Sequence, residues 1–403
     1  MSRPFRRLSA LLAAGVWLLL AAGCVTRPAG SSGDRGTVFS PTDKTETLPA
    51  QLVSNFFLIE SRQADGRVRR FMVDTGSSVS YVSAELARAI ALRERPGRTV
   101  RVESANGGFM TLPAATLRRL QLDGVTFERV PAAVFDFTEL STHLGVKIDG
   151  LIAFPVFRDH LVTFDYPNAR LVIAPQPVAA APVIKTDPRV TTLAFNNEQR
   201  VPFIPVQMGN ESFVVLIDTG SDGALSLNAT GLHPRFQFGP RTGTVVSSLA
   251  GDREQLVGRL EQDVLIGGHT IARPIVDLTH HVSAIGGELL RHFTVTFDQR
   301  RNYVTLAREA EGAVVMESRR STGLALARSP IYWRVLTVVP DTPTSQLGVQ
   351  PGELVVRING EPVDQWTYER FAKLLASAAK VTFTFLAGTR EFDREIPVFD
   401  LVP

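Results

Sequence analysis

From residue 55 onward the chain is a succession of short apolar runs, some strictly alternating with polar residues and some continuous, broken by Gly, Asn, Asp and Pro. Period-two alternation and short bounded apolar runs are the signature of β-strands joined by turns. The pattern predicts strands over 56–60 and 68–73 about a turn at 64–66, and a hairpin over 98–102 and 109–115 about Ala105-Asn106-Gly107-Gly108. Further strands are predicted over 120–127 and 130–135, then a closing hairpin over 161–166 and 170–173. A helix over 83–91 interrupts them, with Ser83 placed as its N-cap. The same order then recurs: 202–208 and 213–217, a hairpin over 244–248 and 255–260 about Ala250-Gly251-Asp252, and a closing pair over 293–298 and 303–306. Val264-Leu265-Ile266-Gly267-Gly268 parallels Leu120-Gln121-Leu122-Asp123-Gly124. An internal repeat of this length predicts two similar β lobes, 55–175 and 191–308.

Polar and Pro-rich stretches separate the units. Residues 24–54, rich in Pro, Gly, Ser and Thr, read as a flexible tether. Residues 176–190 read as a linker between the lobes, and the charged stretch 309–320 as a second one. In the remainder, 321–403, the segments 323–326, 335–339, 340–343, 347–353 and 354–360 follow one another in a fixed order, and then come an amphipathic helix over 367–379 and a strand over 381–386, with Trp366 at the helix start expected in the core.

The candidate chemistry lies where the repeat breaks off. Arg70-Phe71-Met72-Val73 runs into Asp74-Thr75-Gly76-Ser77, and Phe213-Val214-Val215-Leu216-Ile217 into Asp218-Thr219-Gly220-Ser221. An acid just past a buried strand sits on a tight turn with little water, where Gly permits close backbone approach and hydroxyls can hold the carboxylate. If two such turns meet, the carboxylates cannot both ionise and share one proton. One then serves as base on a water while the other donates to a carbonyl oxygen.

These residues resemble the aspartic proteases. The duplicated halves, each smaller than a pepsin lobe, are similar to bacterial retropepsin-like proteases with two subunits fused in one chain. The resemblance covers about 55–308 and implies a mainly β fold: two duplicated retropepsin-like β-barrel lobes forming an acid protease fold. It implies that Asp74 and Asp218 are the dyad and that Thr75 and Thr219 cross-brace the turns. Ser77 and Ser221 are implied to bond the outer carboxylate oxygens, with Gly76 and Gly220 completing the turns. Asn106, Gly107 and Gly108 in one hairpin, and Ala250 and Gly251 in the other, are flap candidates. The sequence departs from the family in two places: Ala153 follows Leu151-Ile152 where Gly is expected, as in Ala284-Ile285-Gly286, and the first flap hairpin has no tyrosine.

The final segment looks like a PDZ domain, with Gly352-Glu353 where Gly-Asp is commoner. The resemblance implies that Gly323, Leu324, Ala325 and Leu326 form its carboxylate-binding loop, taking protein C-termini by strand addition; a groove occluded by the protease lobes is the other reading.

Composition then narrows the class. The chain has 403 residues, a net charge of +3 with the basic residues scattered, and one cysteine, Cys24. Scattered charge gives no nucleic-acid footprint. A single cysteine excludes a disulfide framework, a thiolate metal site and, by its position, a thiol protease. Arg3, Arg6 and Arg7 precede an apolar run over 11–22 and then Ala21-Ala22-Gly23-Cys24. This resembles a bacterial lipoprotein signal over 1–23, although Ala21 stands where Leu is usual. It implies lipidation at Cys24 and a periplasm-facing anchor in the cell envelope, and Val25 points to the outer rather than the inner membrane. The adjacent His280-His281 lacks zinc-site spacing, no Gly-x-Ser-x-Gly elbow occurs, and Gly267-Gly268 and Gly286-Gly287 read as turns.

The expected function is therefore an aspartic endopeptidase acting on peptide or unfolded protein, with no metal and no cofactor, for which one chain suffices to build the dyad. A non-catalytic envelope protein that binds peptides in the same cleft is the alternative, for which Ala153 and the missing flap tyrosine speak.

Overall fold

The computed structural model describes residues 38–39, 44–93, 97–103, 109–176, 184–248 and 251–403. The leader with Cys24, and the flap candidates Asn106, Gly107, Gly108 and Ala250, lie outside these residues, while Gly251 opens a strand.

The protein is mainly β. In lobe 1 the strands Glu46–Val53, Phe56–Arg62 and Val68–Asp74 form an antiparallel ladder. Val68–Asp74 then lies parallel to Gly150–Ala153, with Asp74 opposite Ala153. Phe71, Met72 and Val73 are all buried, which is why this strand reads as a continuous apolar run. Ser80–Val82 flanks Gly150–Ala153 on its other side. Helix α1, Ala84–Ile90, is capped by Ser83, whose Oγ accepts from the Leu86 N–H at 3.1 Å. A long hairpin of Phe109–Leu122 and Val125–Val134 leads to helix α2, Thr138–Leu144, which ends on Gly145 with φ +73°.

Lobe 2 repeats the plan. Phe203–Met208 pairs with Glu211–Ile217, which runs parallel to Ala284–Ile285. Leu225–Asn228 flanks the latter, Phe236–Ser248 and Gly251–Leu260 form the long hairpin, and Ile275–Thr279 pairs beside it. Gly286-Gly287, expected as a plain turn, instead caps and opens helix α3, Gly287–Leu290. A Cβ on Gly286 would stand 2.6 Å from the Gly223 carbonyl oxygen and 2.8 Å from that of Ser221, so the glycine is there for room between helix and loop.

The strands that read as each lobe's closing hairpin also join the lobes. His160–Asp165 pairs antiparallel with Thr294–Asp298, and the Thr163 and Thr296 hydroxyls meet at 2.8 Å across the seam. Phe154, Phe164 and Phe297 pack edge to face beneath this sheet, Phe154 and Phe297 at 5.1 Å. Fully burying each such ring contributes about 1.5–3 kcal/mol, and the core is continuous across both lobes.

Several strands lie in segments expected to be linkers, Val38–Phe39 paired with Val125–Val134 and Lys185–Thr186 with Val190–Ala194 among them. Glu46–Val53 pairs with both Phe56–Arg62 and Arg170–Pro175, and its Leu48 is fully buried. Pro49 and the polar residues around it hide this strand from a pattern reading. Within 309–320, Val314–Val315 pairs with His269–Ala272, and Arg319–Ser321 with the C-terminal strand Phe399–Val402. Leu401 and Val402 of that strand belong to the core of the lobes. The last domain has its own sheet and helix α4, Tyr368–Ser377, around Trp333, Phe371, Phe383 and Phe385. Trp366 is in that core.

Candidate active site

Asp74 is the last residue of its strand, and Asp218 follows the end of its own. The Asp218 N–H donates to the Ile285 carbonyl at 2.9 Å, fixing the acid to the neighbouring strand. The structure brings the two turns face to face. The Thr75 hydroxyl donates to the Ile217 carbonyl at 2.6 Å and accepts from the Thr219 N–H at 3.0 Å. The Thr219 hydroxyl donates to the Val73 carbonyl at 2.7 Å and accepts from the Thr75 N–H at 3.0 Å. Each hydroxyl thus grips the carbonyl just before the opposite acid, and both threonines are buried.

Within each turn the glycine N–H holds its own acid: Gly76 to Asp74 Oδ1 at 2.8 Å and Gly220 to Asp218 Oδ1 at 2.9 Å. Each glycine also lies against the other acid. A Cβ on Gly76 would lie 2.4 Å from Asp218 Cγ, and one on Gly220 2.3 Å from Asp74 Cγ. Neither glycine has a positive φ, so what the position demands is space for the opposing carboxyl.

Protein atoms surround both carboxyls, and both residues are half-buried. Burial pushes the Asp74 pKa well above the ordinary carboxylate range, reinforced by the charge of Asp218 and a hydrogen bond to it and opposed by the N–H groups of Gly76 and Ser77. Burial also raises Asp218, while the bond from Asp74 and the N–H groups of Gly220 and Gly76 act the other way. Both acids are pushed up, and the pair titrates together, sharing one proton. Two tyrosines close by were not singled out in the sequence: Tyr81 lies between Ser80 and Val82, and Tyr166 between Asp165 and Pro167. Burial and then the charge of Asp74 push Tyr81 up to about 12. Tyr166 is raised by burial, then by Asp218 and Asp74, and its hydroxyl is buried without a hydrogen-bond partner among the described residues.

Ser77 acts otherwise than expected. The Ser77 hydroxyl donates to the Val79 carbonyl at 2.7 Å, so its single proton is not available to Asp74, which its backbone N–H serves instead. The Ser221 Oγ lies against Gly286, where a Cβ would come within 2.8 Å of it. Ala153 stands opposite Asp74, buried, and its N–H donates to Ser80 Oγ at 3.1 Å. Lobe 1 therefore accommodates a Cβ at the point where lobe 2 requires Gly286.

In the last domain Gly323 has φ +73° and its N–H donates to Ser321 Oγ at 2.9 Å. Leu324, Ala325 and Leu326 begin the strand Leu324–Arg328, which is the edge of its sheet. The Tyr368 hydroxyl, from the start of α4, spans to that edge: it donates to the Leu326 carbonyl at 2.6 Å and accepts from the Arg328 N–H at 2.9 Å. The His143 ring of α2 lies on Tyr368 at 4.3 Å, and the Arg328 guanidinium bonds the Thr142 carbonyl of lobe 1 and the Trp366 carbonyl. Two of the main-chain groups an added strand would pair with, the Leu326 carbonyl and the Arg328 N–H, are thus occupied. A cavity of about 820 Å³ between lobe 1 and this domain, lined by residues including Asp136, Lys147, Arg328 and Asp364, lies away from the dyad.

Residues 62–156 match the family model described as aspartyl protease, and residues 334–386 the one described as PDZ domain. No curated protein matches the chain significantly. The chain carries an aspartyl protease-type domain and a PDZ domain. The first match includes Asp74 and ends before the second lobe, whose kinship rests on the sequence repeat and the shared strand register.

Proposed function

We propose that this protein is an aspartic endopeptidase in which Asp74 and Asp218 act on one water. The observation that carries this reading is the mutual fit of the turns: each threonine hydroxyl bonds the opposite chain segment and each glycine makes room for the opposite acid. A plain strand-to-turn junction has no use for such reciprocity. In the reaction the Asp218 carboxylate takes a proton from water as its oxygen attacks the scissile carbonyl carbon, and Asp74 donates its proton to the carbonyl oxygen. The resulting diol collapses when Asp218, now protonated, gives its proton to the amide nitrogen, the C–N bond breaks, and one diol hydroxyl passes its proton to Asp74, which restores the starting state. The substrate is an extended peptide or unfolded protein. The PDZ domain takes protein C-termini once Tyr368 and α2 withdraw from its edge strand.

The test is cleavage of a reduced, alkylated protein by the full chain, compared with Asp74→Asn and Asp218→Asn across pH 3 to 8. Loss in both variants with a bell-shaped profile in the parent supports the dyad. Cleavage surviving either change removes the mechanism, and cleavage by none of the three gives the site to peptide binding alone. The leader residues support anchoring in the bacterial envelope through Cys24. Incorporation of labelled palmitate that persists in Cys24→Ser would refute that part.

A further inference from the structure

Arg319 lies outside both family matches, in the strand Arg319–Ser321 that joins lobe 2 to the PDZ domain. Its guanidinium reaches back into lobe 2, bonding Asp277 Oδ1 at 2.7 Å and Oδ2 at 3.4 Å, with Glu288 Oε2 at 3.8 Å. Glu288 belongs to helix α3, which bonds the loop after Asp218, and Asp277 to the strand Ile275–Thr279 beside that loop. The α3 N–H groups of Gly287 and Glu288 donate to the Ser221 and Gly223 carbonyls at 2.7 and 3.1 Å. Asp277 Oδ2 faces the same loop, 3.9 Å from where a Gly223 Cβ would be.

The repeat shows that this charge is peculiar to lobe 2. Val73 and Ile217 pair with Ile152 and Ile285. Counting from these, Tyr81 opposite Leu151 corresponds to Ser226 opposite Ala284. Across the next ladder their partners are Ala133 and Asp277. Lobe 1 thus has a fully buried alanine where lobe 2 has an acid, only 7% exposed. Burying a carboxylate demands a partner, and the partner comes from the interdomain strand. The next residue faces the other way. Arg320 donates to the Ala376 and Ala378 carbonyls at 3.1 and 2.8 Å, at the C-terminal end of the PDZ helix α4, where cations are favoured.

We propose that Arg319 is a positioning residue for the Asp218 turn, and that with Arg320 it forms a two-residue link from the helix bordering the PDZ groove to the catalytic loop. This rests on the endopeptidase reading for its kinetic consequence, though not for its structural one. The link acts through Asp277 and Glu288 and touches no substrate.

The test uses the full chain with Arg319→Gln, Arg319→Lys and the double change Arg319→Gln/Asp277→Asn. Two quantities are read: kcat and KM on a fluorogenic peptide cut by the parent, and hydrogen exchange at the Gly287 and Glu288 amides. Arg319→Gln is expected to lower kcat about tenfold or more with KM within about twofold, and to speed exchange at both amides. Arg319→Lys recovers part of each loss, and the double change recovers most, because it removes the stranded charge. Parental kcat and exchange in Arg319→Gln overturn the proposal, as does a double variant no better than the single. If the parent cuts no peptide, the endopeptidase reading falls, and the exchange pattern alone decides the role of Arg319.

Discussion

Replacing Thr75 by valine keeps the shape of the side chain and removes its hydroxyl. The structure gives the cost. Two buried groups lose their partners: the Ile217 carbonyl, bonded at 2.6 Å, and the Thr219 N–H, bonded at 3.0 Å. An orphaned buried polar group costs about 1–3 kcal/mol, so the pair predicts a loss of about 2–6 kcal/mol. The companion bonds, from Thr75 N–H to Thr219 Oγ1 and from Thr219 Oγ1 to the Val73 carbonyl, do not involve the deleted atom. Thr75→Val should therefore remain folded, with cleavage reduced because Ile217, the residue before Asp218, is released on one side. Urea unfolding followed by tryptophan-independent circular dichroism reads the stability, and the fluorogenic assay reads the rate. Thr75→Ser, which restores the hydroxyl, should regain most of both. A Thr75→Val protein within about 0.5 kcal/mol of the parent and equally active would refute the reasoning, since an empty hydrogen-bond site that costs nothing is not buried.

Other outcomes follow from the same geometry. The dyad binds its proton more tightly folded than unfolded, so the stability it contributes is fully present below about pH 4, the ordinary aspartate range, and is lost as pH rises through the raised folded value. The melting temperature should accordingly fall more between pH 4 and 7 for the parent than for Asp74→Asn; equal slopes would mean that Asp74 holds no such proton. Tyr368→Phe frees the Leu326 carbonyl and the Arg328 N–H, two bonds worth about 0.5–1.5 kcal/mol each. Affinity for a panel of peptides with free C-termini should rise about tenfold by fluorescence anisotropy, with no gain for the amidated forms; no change would show that Tyr368 does not close the groove.

The acids and their glycine and hydroxyl neighbours were legible because they occupy the end of a continuous apolar run, a purely local signal. The recurring strand order was legible from the repeat. Partnership was harder. Ser77 turned to Val79 O, two residues on, because a serine hydroxyl readily bonds its own backbone and so competes with a more distant carboxylate. The strand Glu46–Val53 was missed because Pro49 breaks the pattern while the sheet tolerates it. Arg319 and Tyr368 read as an ordinary linker cation and a helix-start aromatic. Their partners, Asp277 and Leu326, stand 42 residues away in each case, and no periodicity reports on such distant pairs.

The seam between His160–Asp165 and Thr294–Asp298 has a consequence for behaviour on dilution. Two half-sites on separate chains assemble only as far as their concentration drives association. Here a single backbone carries both halves, so their meeting is intramolecular and the fraction of assembled dyads is independent of how many molecules share the volume. Such a molecule keeps its site intact when scarce.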